Sequence, residues 1–469
     1  MVFSSPIFLF YFLPVVLIFF FLGMKRIRWQ NALLFFSSLL FYFWGEKSFT
    51  VLVLISVLIN YGTAFLLERS QDHRKLILSV GIILNLGLLL YFKYVNFFVL
   101  QVLPLFETTI PNYQSIHLPL GISFYTFHGI TYIVDVYRRE AKPCDSLLNT
   151  GLYILFFPQL IAGPIVKFVE IEKQLYQRVI SNEKLHLGIK RFIIGLAKKI
   201  ILANALGRLA DDIFALPLAD LSAPVIWLGA FVYAYQVYFD FSGYSDMAIG
   251  LAKMMGFDFK ENFNFPFAAS TFSDLWQRWH MSLTDFFKNY VYIPLGGNRK
   301  GRLRTSLNIL LVFALIGFWH GASWNCMLWG LFLGVAISLE KLLLEKYLRK
   351  AHFLVGNAFA MFLFVFAILI FRFEDLNQMG NTIAKAFGFY SEYTHIYPIS
   401  FFLTREYSVI IFVSILFAFP IHRWQFIQKI QTKFAVMKWL NDVALLLLFI
   451  ITVSVMAAST YNPFIYFKF

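Results

Sequence analysis

The sequence predicts an all-α polytopic membrane protein that crosses the bilayer about 12 times. Two observations support this fold class: an apolar composition and many apolar runs of nearly membrane-spanning length. Of the 469 residues, 59% are hydrophobic and 14% are charged, and the mean hydropathy is +0.68. A soluble globular domain of this size is excluded by that balance. We expect residues 1–469 to form one integral membrane domain.

One helical crossing of a ~30 Å hydrocarbon core needs roughly 20 apolar residues. The clearest runs of about that length are 7–23, 49–67, 76–92, 222–239, 352–373 and 439–458, with shorter ones at 32–45, 305–319, 324–340 and 408–420. The first run has no basic segment before it and no small-residue cleavage site after it. We therefore expect a retained helix there rather than a cleaved signal peptide.

The net charge of +14 comes from cations that lie in short segments between the apolar runs. These basic segments are 24–28, 68–75, 138–142, 167–191, 253–304, 341–350 and 423–438. The positive-inside rule predicts that they are cytoplasmic and that both termini lie outside. The stretches 107–116, 206–221 and 374–407 carry mixed or acidic charge and fit the exported side. This pattern explains the charge without a nucleic-acid partner.

Two segments predict broken helices. Residues 149–166 lie between basic segments, and Pro158, Gly163 and Pro164 interrupt their helical hydrogen bonding. We expect this segment to be re-entrant, because irregular backbone at membrane depth must be buried in protein or line a cavity. The stretch 241–256 contains Ser242, Ser245 and Asp246 and predicts a second break. Together the two breaks indicate an internal chamber.

Ionisable groups inside apolar sequence are functional candidates because they are costly in a membrane. His320 is the clearest, since it follows the apolar run LLVFALIGFW and precedes the small residues Gly321, Ala322 and Ser323. A low dielectric disfavours the imidazolium, so we expect a neutral histidine suited to act as a general base. The alternative is a histidine that only bonds a neighbouring helix.

His280 repeats the Trp-His dipeptide of His320 and lies in the more polar sequence DLWQRWHMSL. Its alternative role is that of an interfacial histidine held by Trp276 and Trp279 in an aromatic belt. Two histidines without a third nearby histidine or cysteine fall short of a zinc ligand set, so no metal is expected. Cys144 and Cys326 predict neither a disulfide framework nor redox chemistry.

Asp240 and Asp246 occur in QVYFDFSGYSD and can relay protons, but we favour a structural role in which they cap helix ends or pair with arginines. The loop YIPLGGNRKGRLR combines two glycines with four cations, which suits phosphate binding but is equally typical of a positive-inside loop. Its four cations are Arg299, Lys300, Arg302 and Arg304.

Three long segments resemble the membrane-bound O-acyltransferase superfamily. They are QVYFDFSGYSDMAIGLAKMMGFDFKENFNFPF, DLWQRWHMSLTDFFKNYVYIPLGGNRKG and GFWHGASWNCMLWG. Supporting pieces are PLGISFYTFHGITYIVDVYR, FFPQLIAGPIVKF and the terminal PFIYFKF. Within the superfamily the sequence is similar to the bacterial branch that acts in alginate and peptidoglycan O-acetylation.

The resemblance implies a ring of helices around a central funnel with a thin floor. It also implies that His320 is the family's invariant histidine and that His280 is the second, upstream catalytic position. The implied reaction is acetyl transfer from cytosolic acetyl-CoA. Because CoA is too charged to cross a bilayer, we expect its phosphates to be held on the cytoplasmic side by Arg299, Lys300, Arg302 and Arg304. The implied setting is the bacterial inner membrane, with an exported esterase-like partner acting on the polysaccharide.

Two alternatives remain open at this point. The D-alanyl transfer protein of teichoic acid synthesis has the same architecture but takes its acyl group from a carrier protein. A membrane transporter is also built from broken helices and midplane polar groups. The sequence contains no evident inverted repeat or ion-coupling cluster, which disfavours the transporter.

Overall fold

Helices account for most of the chain in the computed structural model, which describes residues 1–23, 26–348, 350–389, 397–420 and 436–463, with backbone alone at 436–438. No strand occurs within these ranges, so the all-α class is confirmed for the described residues. Most of the basic segment 423–438 lies outside them, as do all but the first residue of the terminal PFIYFKF and parts of the segments 24–28, 341–350 and 374–407.

The described α-helices are α1 Leu13–Leu22, α2 Ile27–Glu46, α3 Thr50–Arg69, α4 Arg74–Phe97, α5 Ile122–Arg138, α6 Leu147–Leu155, α7 Phe157–Leu160, α8 Phe168–Tyr176, α9 Asn182–Ala197, α10 Asn204–Phe214, α11 Ala223–Met254, α12 Phe272–Arg278, α13 Met281–Phe287, α14 Gly301–His320, α15 Trp324–Leu339, α16 Glu345–Leu348, α17 Phe353–Arg372, α18 Leu376–Ala386, α19 Ile399–Phe402, α20 Arg405–Ala418 and α21 Val436–Ala458. Turns of π-helix cover Phe8–Phe12, Phe98–Val102, Lys198–Ala203, Lys288–Tyr292 and Glu340–Leu344, and 3₁₀ turns cover Lys47–Phe49, Leu103–Phe106, Leu218–Asp220 and Pro266–Ala268.

Six stretches of described helix are long and apolar enough to cross a membrane. They are Ile27–Arg69, Arg74–Phe106, Gly301–His320, Trp324–Leu348, Phe353–Arg372 and Trp439–Ala458. In the most apolar window of the second and the sixth, only 17% and 11% of the residues are buried, which leaves broad apolar faces for lipid. The chain is therefore a multi-pass membrane protein. The predicted run 7–23 forms the shorter apolar helix Phe8–Leu22.

The chain forms two compact units. The first contains Met1–Phe192 and Ser245–Lys260, and the second contains Ile193–Tyr244 and Glu261–Ile465. In the first unit α5 is the central helix, since every residue from Ile122 to Val136 is buried. The same unit contains a cluster of phenylalanine rings, and Phe8, Phe12, Phe41 and Phe157 are among its members.

The predicted break in 149–166 is confirmed. Helix α6 ends at Leu155, α7 has four residues, and the backbone from there to α8 is irregular and buried. Side chains satisfy its polar groups: the Ser38 hydroxyl accepts from the Phe157 N–H at 3.0 Å, and the Tyr153 hydroxyl donates to the Val166 carbonyl at 2.8 Å. Gly163 lies so close to the preceding turn that an added Cβ would be 2.4 Å from the Pro158 carbonyl oxygen.

The predicted break in 241–256 is wrong, because α11 runs unbroken for 32 residues through this stretch. The charge of Asp246 does not interrupt the helix, because a neighbouring side chain compensates it. The Asp246 carboxylate accepts from the Arg191 guanidinium at 2.8 Å within the first unit. In the second unit Gly243 allows close packing, since a Cβ there would lie 2.7 Å from the Gly195 carbonyl oxygen. Of the two breaks that indicated an internal chamber, only the one in 149–166 is present.

Candidate active site

His320 occupies the junction between two closely packed helices of the second unit. It is the last residue of α14, and α15 begins at Trp324 after a turn of small residues. The helices approach backbone to backbone, because a Cβ on Gly317 would lie 2.4 Å from the Cys326 carbonyl oxygen. This contact fixes the position of the imidazole at the end of α14.

The ring of His320 is surrounded by aromatic side chains. Its centroid lies 4.8 Å from that of Trp319, 4.9 Å from that of Trp329 and 6.0 Å from that of Phe371. The residue is 8% exposed. Such walls exclude most water, which strengthens any hydrogen bond or proton transfer at this ring.

His280 lies between α12 and α13, where the backbone adopts φ 44° and ψ 54°. A left-handed conformation is uncommon for a residue with a side chain and costs about 1–3 kcal/mol. The ring is 2% exposed, and its Nδ1 lies 3.1 Å from Oδ1 of Asn262. It packs edge to face on Phe241 at 4.6 Å and contacts Trp319 at 6.2 Å.

His280 lies outside the six apolar spans. Burial lowers its pKa well below the ordinary value, and repulsion from a positive charge on His320 lowers it further. This imidazole is therefore neutral at physiological pH. Trp276 and Trp279 are buried with it, which disfavours the interfacial alternative.

One cavity of about 180 Å³ has both histidines in its wall. Its other walls are mainly aromatic and aliphatic, with Trp276, Trp279 and Ile316 among them. The sequence singled out the two histidines separately, forty positions apart, and the fold of the second unit brings them to a shared space. An apolar cavity with a few polar groups is the usual form of a small-molecule site.

The cavity also has a polar, exposed end. Lys288, Thr284, Gln277 and Lys341 line it and are exposed, whereas His280 and His320 are buried. Lys288 and Lys341 each lie on a turn of π-helix. Sequence reasoning missed these two lysines, because their segments looked like ordinary positive-inside sequence.

The predicted phosphate-binding cations lie elsewhere. Arg299, Lys300, Arg302 and Arg304 are exposed in the loop before α14 and in its first turn. None of the four lines the cavity, although Tyr292 at the start of the same loop does. The structure thus brings together His280, His320 and two unpredicted lysines, and leaves the four predicted cations outside the cavity wall.

Asp240 and Asp246 are both paired with cations. Asp240 lies 2.7 Å from Nζ of Lys199, and both side chains are almost fully buried. Lys199 also donates to the Pro463 carbonyl oxygen. Asp246 pairs with Arg191, as given above. The structural role that the sequence favoured is therefore supported, with a lysine rather than an arginine as the partner of Asp240. Among the described residues, no group of three or more histidine, cysteine, aspartate or glutamate side chains is placed to hold a metal ion.

Comparison with known proteins identifies the family. The model of the membrane-bound O-acyltransferase family matches residues 76–373, which include both histidines and both lysines of the cavity. The probable alginate O-acetylase AlgI of Pseudomonas putida is 36% identical, with 100% of each chain covered. The peptidoglycan O-acetyltransferase of Helicobacter pylori is 33% identical, over 100% of this chain and 98% of that protein.

A more distant relative is the teichoic acid D-alanyltransferase of Bacillus subtilis, which is 31% identical over 58% of this chain and 73% of that protein. All of these relatives carry acyltransferase names, and the family match covers more than half of the chain, so the transporter alternative is set aside. The chain belongs to the membrane-bound O-acyltransferase family and is an O-acyltransferase.

Proposed function

We propose that this protein is a membrane O-acetyltransferase of the bacterial inner membrane. It takes acetyl groups from cytosolic acetyl-CoA and passes them across the membrane to an exported esterase-like partner, which acetylates a polysaccharide of the alginate or peptidoglycan type. The observation that carries the proposal is that two buried histidines and two exposed lysines line the same cavity. About 12 crossings and a ring of helices around a funnel are part of this proposal.

The distribution of charge in the cavity suits a thioester donor with a charged head. Coenzyme A carries phosphates that cannot enter an apolar cavity without a large desolvation cost. Lys288 and Lys341 are exposed, so the phosphates can bind them while remaining hydrated. The apolar walls then accept the uncharged arm and its thioester. Arg299, Lys300, Arg302 and Arg304 add positive potential on the same proposed cytoplasmic side and raise the local concentration of the anion.

The chemistry is a direct acyl transfer. The acceptor hydroxyl oxygen attacks the thioester carbonyl carbon, a new C–O bond forms and the C–S bond breaks. His320 removes the hydroxyl proton and returns it to the departing thiolate. Confinement of donor and acceptor between aromatic walls supplies proximity and orientation. General base catalysis of this kind contributes about 10²–10⁴ in rate.

The test replaces His320 with alanine in the native cell and measures the acetate that base releases from the exported polysaccharide. We expect acetylation to fall at least about 100-fold, with normal protein level and normal binding of acetyl-CoA to the purified protein. The matched control is His73→Ala, because His73 is an exposed histidine outside the cavity. Acetylation retained by the His320 variant would dismiss this residue as the base.

D-alanyl transfer is the second candidate, favoured by the match to the Bacillus subtilis protein. The full-length matches to the two acetylation proteins favour acetate instead. Inverted membrane vesicles from native cells expose the cytoplasmic face and retain exported partners, so they separate the candidates. Labelled acetyl-CoA added outside should transfer base-labile acetate to the material enclosed in the vesicles. Labelled D-alanyl carrier protein should transfer no label. The reverse result would replace acetate with D-alanine in the proposal.

A further inference from the structure

Asn262 contacts the ring of His280 and the two residues that follow it in the chain. It is 1% exposed. Its backbone carbonyl accepts from the Met281 N–H at 2.9 Å, and its side-chain Oδ1 lies 3.1 Å from Nδ1 of His280. The helix break that carries His280 is therefore tied to this one asparagine by its backbone and its side chain.

The orientation of the Asn262 amide follows from Ser282. The backbone N–H of Ser282 points at the atom assigned as Oδ1 at 3.2 Å, and the Ser282 hydroxyl donates to the same atom at 2.9 Å. A backbone N–H can only donate, so the atom that faces it must be the amide oxygen. A flipped amide would place its NH₂ group against that N–H, which is repulsive.

The oxygen in turn determines the protonation of the ring. A carbonyl oxygen only accepts hydrogen bonds, so Nδ1 of His280 must carry the proton. In a neutral imidazole the other nitrogen, Nε2, is then an acceptor. The low pKa of the buried ring keeps it neutral. Nε2 has no hydrogen-bond partner among the residues that the structure describes.

We infer that Asn262 is a positioning residue that holds His280 in the Nδ1–H tautomer, so that Nε2 accepts a hydrogen bond from the acceptor hydroxyl. This inference rests on the proposed acetyl transfer and deepens it. Two roles are open to a histidine at this position, donation to the thioester carbonyl or orientation of the acceptor. The tautomer rules out donation by the neutral ring and assigns it the second role, beside His320 as the base.

The tautomer can be read directly by solid-state NMR of the protein in bilayers, labelled with nitrogen-15 histidine. The difference between wild type and His280→Gln isolates the signals of His280. We expect a protonated Nδ1 and an unprotonated Nε2. A protonated Nε2 would overturn the inference.

A second measurement uses acetyl transfer in inverted vesicles as a function of pH. Asn262→Asp keeps the oxygen but adds a charge that favours the imidazolium, so Nε2 becomes protonated and the acidic limb of the rate profile moves up by about 1–3 pH units. Asn381→Asp is the control, because it adds the same charge at an exposed residue of α18 and should leave the limb in place. An unmoved limb in the Asn262 variant would contradict a role in setting the tautomer.

Asn262→Leu removes the oxygen and releases the ring. We expect kcat to fall about 10²–10⁴-fold, while KM for acetyl-CoA stays within about 3-fold. If KM for acetyl-CoA rose by as large a factor as kcat fell, the variant would have a general structural defect, and that result would count against a positioning role for Asn262. If wild-type vesicles transferred no acetate at all, the proposed function would fail, whereas the NMR result would still decide the tautomer.

Discussion

Lys288 and Lys341 at the exposed end of the cavity offer the sharpest functional prediction. Their joint replacement by alanine should weaken the binding of acetyl-CoA without removing the chemistry, because neither residue lies beside the histidines at the buried end. The expected change is therefore a higher KM for acetyl-CoA with kcat nearly unchanged. This separates anchoring of the donor from catalysis.

The exposure of both lysines sets an upper limit on the increase in KM for acetyl-CoA. Exposed charge pairs contribute about 0.2–1 kcal/mol each, so the double variant loses at most about 2 kcal/mol of donor binding. Since 1.4 kcal/mol corresponds to a tenfold change, KM should rise by at most about 30-fold. Salt screens exposed charges, so the ratio of variant to wild-type KM should shrink as ionic strength increases.

Initial rates of acetyl transfer in inverted vesicles, measured over a range of acetyl-CoA concentrations at two salt concentrations, check this prediction. The matched control is the double variant Arg299→Ala with Lys300→Ala, which removes the same charge from a loop outside the cavity wall and should change KM less than about 3-fold. If the loop variant raised KM strongly and the lysine variant did not, the placement of the donor at the exposed end of this cavity would be refuted.

Two further predictions concern stability, each checked by thermal unfolding of the purified protein in detergent. Lys199→Met removes the cation that lies 2.7 Å from the almost fully buried carboxylate of Asp240 and should lower the free energy of unfolding by about 3–5 kcal/mol. The double variant with Asp240→Leu should recover most of that loss; equal losses in both would contradict the ion-pair explanation. Gly317→Ala should cost about 1–3 kcal/mol and lower acetyl transfer, because the added Cβ meets the Cys326 carbonyl. Gly87→Ala is its control, since a Cβ there meets nothing within 4 Å, and an unchanged Gly317→Ala variant would show that the two helices can separate without cost.

The fold class and the two histidines could be predicted because each is indicated by a short stretch of sequence. Long apolar runs predict helices in lipid, and His320 is noticeable as an ionisable residue inside apolar sequence. His280 was identified by its Trp-His dipeptide and by the family resemblance of its segment. The break in 149–166 was likewise local, since Pro158 and Pro164 interrupt helical hydrogen bonding wherever they occur.

The errors and omissions concern contacts between distant residues. Helix α11 was predicted to break because the compensating cation Arg191 lies far from Asp246 in sequence. Asn262 and Lys341 were missed because nothing near them in sequence points to the histidines. The basic loop before α14 drew attention by its composition, but composition cannot say which cations border a cavity. The number of crossings stays a prediction.

The wall that α14 gives to the cavity sets a minimum reach for the acyl donor. It extends from Ile309 to His320, which is about 16 Å at a rise of 1.5 Å per residue. A donor that keeps its charges in water and delivers its carbonyl to His320 therefore needs a slender, uncharged tether of comparable length. Acetyl phosphate, whose phosphorus lies only two bonds from the reacting carbon, is too short to serve, and a shortened CoA analogue should bind the lysines yet fail to react.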